Sequence, residues 1–403
     1  MSNLLRRLGG VALLVVALAL PLVLNDFWLQ TGLFVMAAAI GAVGLTLLVG
    51  VAGQLSLGHA AFAAIGAYVY AWSTGETTTS VTGAGLPPVL GLALAALVAA
   101  GVGAAFSPVA GRLRGIYLGL ATLGLVFVVR HLLLNLTDWT GGFTGRSVES
   151  FALGGFSFSN RDPDYLAVGG VEFEGLHRLW YLFLLLAVVA CWLAGNLRAS
   201  RTGRAWANVR DSETAAAAMG IGVARAKAAA FVVSSAYAGT AGAMLALAYG
   251  RVAPDVFSLT ASVDFLVMIV LGGLGSVAGA VVGALFVTAL PLVLAEYSSA
   301  LPFLAAPGSG GLDPSTASRI VYGLAIIAVL VFLRGGLAGA GRRLRHRLGG
   351  GGPSGDAGTT DPDTPGPGPT GRTASTSGST DPSTPDGSHP AAVTHPRSKE
   401  TTR

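Results

Sequence analysis

Charge is what this sequence has least of. Only 11% of its 403 residues are Asp, Glu, Lys or Arg, while 52% are hydrophobic and the mean hydropathy is +0.66. Soluble domains carry about 25% charged residues, so the composition excludes an ordinary soluble protein. Lysine is rarer still, at Lys227 and Lys399 alone, against abundant arginine, glycine and alanine. That bias points to a GC-rich, bacterial genome. Cysteine occurs once, as Cys191 inside an apolar run, which excludes an intrachain disulfide and leaves the redox compartment unread. The phosphate-binding pattern G-x-x-x-x-G-K-[ST] is missing: Lys227 lies between Ala226 and Ala228, and Lys399 precedes Glu400. Contexts for a Ser/His/Asp or Cys/His nucleophile and clusters of metal ligands are missing as well. The chain is therefore expected to be no enzyme, with no catalytic residue and no metal site.

What is there is a series of apolar runs. They predict an all-α, polytopic transmembrane bundle of about ten spans of roughly 20 residues each. The first follows Arg6 and Arg7. A basic start and a short apolar core also fit a cleaved signal peptide, but no small-x-small site precedes Asn25-Asp26-Phe27-Trp28, so an uncleaved span is expected. Further spans are read near residues 32–49, 54–72, 86–106, 115–134, 178–193, 228–249, 263–280, 281–295 and 318–333. The stretch 263–295 is punctuated by Gly272, Gly273, Gly275, Gly279 and Gly283. It reads as two short spans or as one span with a broken segment, which survives at membrane depth only when it is buried in protein or lines a cavity.

The basic residues gather at the ends of the runs, which suits membrane topology better than nucleic-acid binding. Arg6-Arg7, Arg112 with Arg114, the stretch 197–227, and the Arg342–Arg347 run are all expected on the cytoplasmic side. An alternating path places both termini there too. The loop 135–177, with Asp138, Glu149, Asp162, Asp164, Glu172 and Glu174 against Arg146 and Arg161, is expected outside. Residues 1–348 then form the membrane domain. Residues 349–403, rich in Gly, Pro, Ser, Thr and Asp, cannot bury enough apolar surface to offset ordering entropy and are expected to be a disordered cytoplasmic tail.

Two stretches carry candidate function. In Gly50–Tyr70, Gly53, Gly58 and Gly66 permit a helix break or close packing, as Gly272, Gly273 and Gly275 do later. Gln54, Ser56 and His59 are polar inside an apolar span. They either make interhelical hydrogen bonds or line a substrate path. Arg130 and His131 fit side chains reaching the outer interface, and Asp264 and Glu296 are expected near solvated span ends. In 197–227, Asp211-Ser212-Glu213 followed by a run of alanines and Gly220 predicts a short helix. Asp211 or Ser212 would cap its start, Glu213 would favour its positive end, and Gly220 would close it in the left-handed conformation. About two turns of helix are not stable alone. The segment must lie on its own protein or insert into a partner's groove.

Five segments, in order, resemble one family: GQLSLGHAAFAAIGAY (Gly53–Tyr68), LRGIYLGLATLG (Leu113–Gly124), TGGFTG (Thr140–Gly145), SRTGRAWANVRDSETAAAAMGI (Ser200–Ile221) and LGGLGSVAGAVVGALF (Leu271–Phe286). Together they resemble the permease subunits of branched-chain amino-acid ABC importers, of the LivM type within the LivH/LivM family. The resemblance implies a second, LivH-type permease, two ATP-binding subunits that hold ATP and Mg, and an extracytoplasmic substrate-binding protein, all in or at a bacterial cytoplasmic membrane. It places the ATPase-coupling loop on 200–221, with Arg201, Arg204, Arg210, Asp211, Glu213 and Gly220 as candidate contacts. The spacing departs from the broader E-A-A-x-x-x-G pattern: Thr214 follows Glu213, and Gly220 falls one position late. Urea or short-amide permeases share the family, and a stand-alone ion-coupled transporter is the alternative from another class. The lack of intramembrane carboxylates of the kind ion coupling needs counts against that alternative.

Overall fold

The computed structural model describes residues 12, 14–113, 115–153, 156–158, 166–168, 171–173, 175–297 and 314–332. The expectations for Arg6-Arg7, Arg114, the Arg342–Arg347 run, the tail 349–403 and much of 159–174 lie outside those residues. The chain divides into two units, Met1–Gly350 and Gly351–Arg403, the second wholly outside the description.

Eleven helices carry the argument: α1 (Asp26–Leu45), α2 (His59–Thr74), α3 (Pro88–Arg112), α4 (Ile116–Asn135), α5 (Gly175–Ala199), α6 (Arg201–Asp211), α7 (Glu213–Ala218), α8 (Val223–Tyr249), α9 (Leu259–Gly272), α10 (Val277–Glu296) and α11 (Pro314–Phe332). Among the described residues six segments are long and apolar enough to cross a membrane: Asp26–Val51, α3, α4, α5, α8 and α10. The α9 helix has 14 residues and α2 has 16, or about 21–24 Å of rise against a hydrocarbon core of about 30 Å. Both are short because a glycine-rich break adjoins each.

The centre of the bundle is α1, α2 and α8. Asn25 opens α1 by accepting the Trp28 amide at 3.2 Å. The helix is buried nearly all round, as a helix apolar on every face must be, and ends in a π turn over Thr46–Val51. Along α8 the buried residues are mostly small, among them Ser234, Ser235, Ala238, Gly239, Ala241, Gly242 and Ala243. They let α2 approach so closely that a Cβ at Gly66 would fall inside the Gly239 backbone, and one at Gly242 inside that of Ala63. Such contact replaces the hydrophobic drive that lipid does not supply. By contrast α3, α4, α5 and α10 expose large apolar side chains such as Leu97, Phe127, Trp192 and Leu285. These four, with α11 and its exposed Ile320, Leu324 and Ile327, form the apolar periphery among the described residues.

The loops sort into two ends. At one lie the break after α1, α6–α7 and the break after α9. At the other, Arg146–Ser147 pairs antiparallel with Arg251–Val252. Near the start of the chain, the Trp180 indole donates to the Ala17 carbonyl at 3.0 Å and the Tyr181 hydroxyl to that of Leu18 at 3.2 Å, fastening the segment before α1 to α5.

Three expectations need correction. The break in 263–295 falls at Gly273–Ser276, not between Ala280 and Val281. The reason is local: Gly273 and Gly275 take φ of 108° and 77°, which other residues rarely adopt, and Ser276 then caps α10 by accepting the Gly279 amide at 3.1 Å. The sixth span, read as 178–193, extends over Gly175–Ala199 and carries Arg198 in its last turn. Asp264 lies inside α9 and is partly buried, rather than solvated at a span end.

Candidate coupling site

The polar stretch after α5 folds as two helices where one was expected. Ser200 starts α6 by accepting the Gly203 amide at 3.3 Å. Gly203, Trp206 and Val209 recur at helical spacing and are buried, while Arg201, Thr202, Arg204, Asn208 and Arg210 face outward. The Trp206 ring sits in the apolar cluster that holds Leu47, Leu48 and Val51 of the first break. Ser212 is extended (φ −160°, ψ 115°), ends α6, and caps α7 by accepting the Ala215 amide at 3.2 Å. Of the two capping candidates it is therefore Ser212, not Asp211. At the far end Gly220, with φ 80°, donates to Ala217, and Ile221 donates to Ala216 at 3.0 Å. These two bonds satisfy carbonyls that a helix end otherwise leaves open. Ala216 is the buried residue of α7, whereas Thr214, Ala215, Ala217, Ala218 and Met219 are exposed.

The charged candidates divide by partner. Arg201 is exposed, and Arg204 donates to the Ala199 carbonyl at 2.8 Å. Arg210 reaches in two directions: Nε and Nη2 to Asp211 Oδ1 at 3.0 and 2.9 Å, and Nη1 to the Gly50 carbonyl at 2.8 Å. Glu213 turns inward to Lys227 Nζ at 2.6 Å, with the lysine almost wholly buried. Lys227 was read from sequence only as one charge of the stretch. Nothing in its local pattern marks it as the buried partner of Glu213, fourteen residues away.

The segment from Gly50 to His59 is held from several sides. Gly53 has φ 70°, and Arg210 lies where its Cβ would be. Gln54 is buried and donates its amide to the Lys227 carbonyl at 3.1 Å. Ser56 is buried and accepts the Gly58 amide at 3.4 Å. Gly58, the residue before α2, packs on the Thr122 backbone, and the Thr122 hydroxyl accepts the Leu57 amide at 2.9 Å. His59 Nε2 donates to the Gly41 carbonyl at 2.8 Å, and its ring stands edge-on to Phe265. The Ala60 amide donates to Ser262 at 3.1 Å. Gln54 and His59 thus bond to other helices, while the Ser56 bond is local. Gln54 and Ser56 also lie in the non-helical break before α2, not inside a span read at 54–72, because the helix starts only at His59. Polar atoms are left over nevertheless: Gln54 Oε1 and the hydroxyls of Thr46 and Ser234 are buried without a partner among the described residues. Gly272 packs against Gly279, and a Cβ at Gly50 would strike the Gly275 backbone, so the two breaks touch.

The other end is built around a residue that sequence reasoning counted only as a loop charge. Arg146 is buried and donates from Nη1 to the carbonyls of Thr82 and Trp139 at 2.9 and 2.7 Å. Loss of hydration lowers its pKa from the usual guanidinium value. Trp72 stacks on Trp139 at 5.4 Å, Arg251 donates to the Thr144 carbonyl, and Arg130 pairs with Asp255 at 2.8 Å. Arg130 is therefore paired rather than simply reaching for the interface. Two open cavities of about 780 and 570 Å³ flank this frame, and Glu149 and Arg251 line both.

Residues 27–330 match the family described as branched-chain amino acid transport system / permease component. The chain belongs to that family. Two relatives illustrate the permease family further, both named high-affinity branched-chain amino acid transport system permease protein LivM. The one from Salmonella typhimurium (strain LT2) is 33% identical over 284 residues, covering 68% of this chain and 65% of that protein. The one from Escherichia coli (strain K12) is 33% identical over 306 residues, covering 74% of this chain and 70% of the other. The chain thus spans about two thirds of the length of these relatives. No solved structure matches it. The permease family and the six long apolar helices make this a multi-pass helical membrane protein.

Proposed function

We propose that this chain is a transmembrane subunit of an ATP-driven importer that carries branched-chain amino acids across a bacterial cytoplasmic membrane. It pairs with a second, similar permease and two ATP-binding subunits, which hold ATP and Mg, and an extracytoplasmic binding protein delivers the substrate. The end carrying α6–α7 faces the cytoplasm, with both termini on that side. The observation that carries this reading is α7 itself. It is six residues long and capped at both ends, and it leaves Thr214, Ala215, Ala217, Ala218 and Met219 exposed, while Arg210 at the end of the preceding α6 bonds to the Gly50 carbonyl in the broken end of α1. A helix this short is stable only when packed, and its free face suits a groove on a partner. In a family of transport permeases that partner is the ATPase. Gln54, Ser56 and His59, with the unpaired atoms of Gln54, Thr46 and Ser234, are where a polar path would open once the breaks move.

The test is uptake by the reconstituted complex. Co-purification with an ATPase, and loss of branched-chain amino-acid uptake when that ATPase is catalytically dead, are the expected results. Uptake by this chain alone in liposomes under an ion gradient would overturn the reading. Deleting Asp211–Gly220 is expected to uncouple ATP hydrolysis from transport while the spans stay folded, and unimpaired transport after the deletion would remove α7 from the mechanism.

A further inference from the structure

The charged groups around α7 converge on one place. Arg210, just before α7, holds the Gly50 carbonyl. Glu213, in its first turn, holds the Lys227 ammonium, and the Lys227 carbonyl receives the Gln54 amide. One route therefore leaves the end of α6 and the other the start of α7, and both end within the same five residues, Gly50–Gln54. That segment is the broken end of α1. Its carbonyls are free to accept because the helix stops there, and Gly50 lies directly on Gly275, in the break between α9 and α10.

We propose that Arg210 and the Glu213–Lys227 pair act as a two-point latch. It ties the coupling helix to both glycine breaks, so that displacement of α7 moves the breaks instead of bending the loop around them. Glu213 is then an internal anchor and not a contact to the ATPase, which meets the alanine and methionine face. Two points are needed because extended Ser212 separates α6 from α7 and left-handed Gly220 follows α7: Arg210 fixes the α6 side of the first hinge, and Glu213 fixes α7 itself. A helix held only through such hinges would pivot and transmit nothing. Arg210 is suited to its part because one guanidinium can serve Asp211 and the Gly50 carbonyl together, whereas a lysine is a single point charge. Lys227 suits the other part because its buried ammonium has Glu213 as its ionic partner. These are positioning residues, and the inference rests on α7 being the ATPase contact.

The experiment uses the assembled transporter in proteoliposomes and reads substrate moved per ATP hydrolysed, alongside cross-linking. Arg210→Ala, Arg210→Lys, Glu213→Gln and Lys227→Met are each expected to lower that ratio roughly tenfold or more, the size of one lost charge-assisted hydrogen bond. The exchange Glu213→Lys with Lys227→Glu is expected to recover part of it. A Met219→Cys probe in a Cys191→Ala background is expected to cross-link to the ATPase in every variant. An unchanged ratio with cross-linking intact overturns the latch alone. Failure of Met219→Cys to cross-link in the otherwise normal protein overturns the ATPase contact, and the latch with it. Should Lys227→Met fail to assemble, the Arg210 variants, whose side chain is partly solvent-exposed, still decide.

Discussion

At the scale of single residues, the structure turns on polar groups that meet backbone. Arg146 donates to two carbonyls from separate segments, Thr82 and Trp139. Charge-assisted bonds of this kind contribute about 1.5–3 kcal/mol each. Arg146→Ala is therefore expected to lower the Tm of the purified protein, and an unchanged Tm would show that the loop end does not depend on it. Burial lowers the pKa of Arg146, so folding disfavours its charged form and stability from this group rises with pH only near that pKa. An arginine titrates far above neutrality, so its contribution is expected to be flat between about pH 6 and 9, as a pH series of thermal melts would show. Gly66→Val tests close packing: a side chain forced into the Gly239 backbone is expected to cost about 1–3 kcal/mol or more and to reduce recovery of folded protein. Gly66 was legible from sequence as a packing glycine. Arg146 was not, because an arginine in an acidic loop looks like any solvated charge until Thr82 and Trp139 are brought beside it.

At the scale of elements, the long apolar helices were plain from hydropathy alone, since length and composition decide them. The short elements were not. The α6 helix was hidden by its arginines, although Gly203, Trp206 and Val209 at helical spacing carry the amphipathic signal. The break near Gly273 was misplaced because the whole stretch 263–295 is apolar, and only positive φ together with the Ser276 cap decides which glycine ends the helix. Trp206 fixes α6 to the π turn of the first break. Trp206→Ala is expected to destabilise the protein by about 3–5 kcal/mol. Proteolysis should then cut near α6 first, and equal protection across all loops would sink the idea that Trp206 holds this element.

At the scale of the whole molecule, two ends are joined by a tightly packed centre. The glycine breaks, α6 and α7 lie at one end, and the frame around Arg146 and Arg251 lies at the other. Contacts between residues far apart in sequence define each end: Arg210 with Gly50 at one, and Arg251 with Thr144 at the other. What charge counting could not supply is the meeting of the two breaks at Gly50 and Gly275, a property of packed backbones and not of composition. Both ends and the centre lie within residues 14–332, and the family match ends at residue 330. The stretch 349–403 shares no composition with them: it is dominated by Gly, Pro, Ser, Thr and Asp, and so has little apolar surface with which to join a core. If the working parts are the breaks, α7 and the loop frame, this stretch contributes to none of them. A chain ending at Leu348 keeps the Arg342–Arg347 run and is expected to insert, assemble with the proposed ATPase partner and take up substrate at the full-length rate. Transport assays on membranes with matched amounts of the two proteins measure this directly, and a lower rate for the shortened chain would mean that the tail takes part in assembly or in the cycle itself.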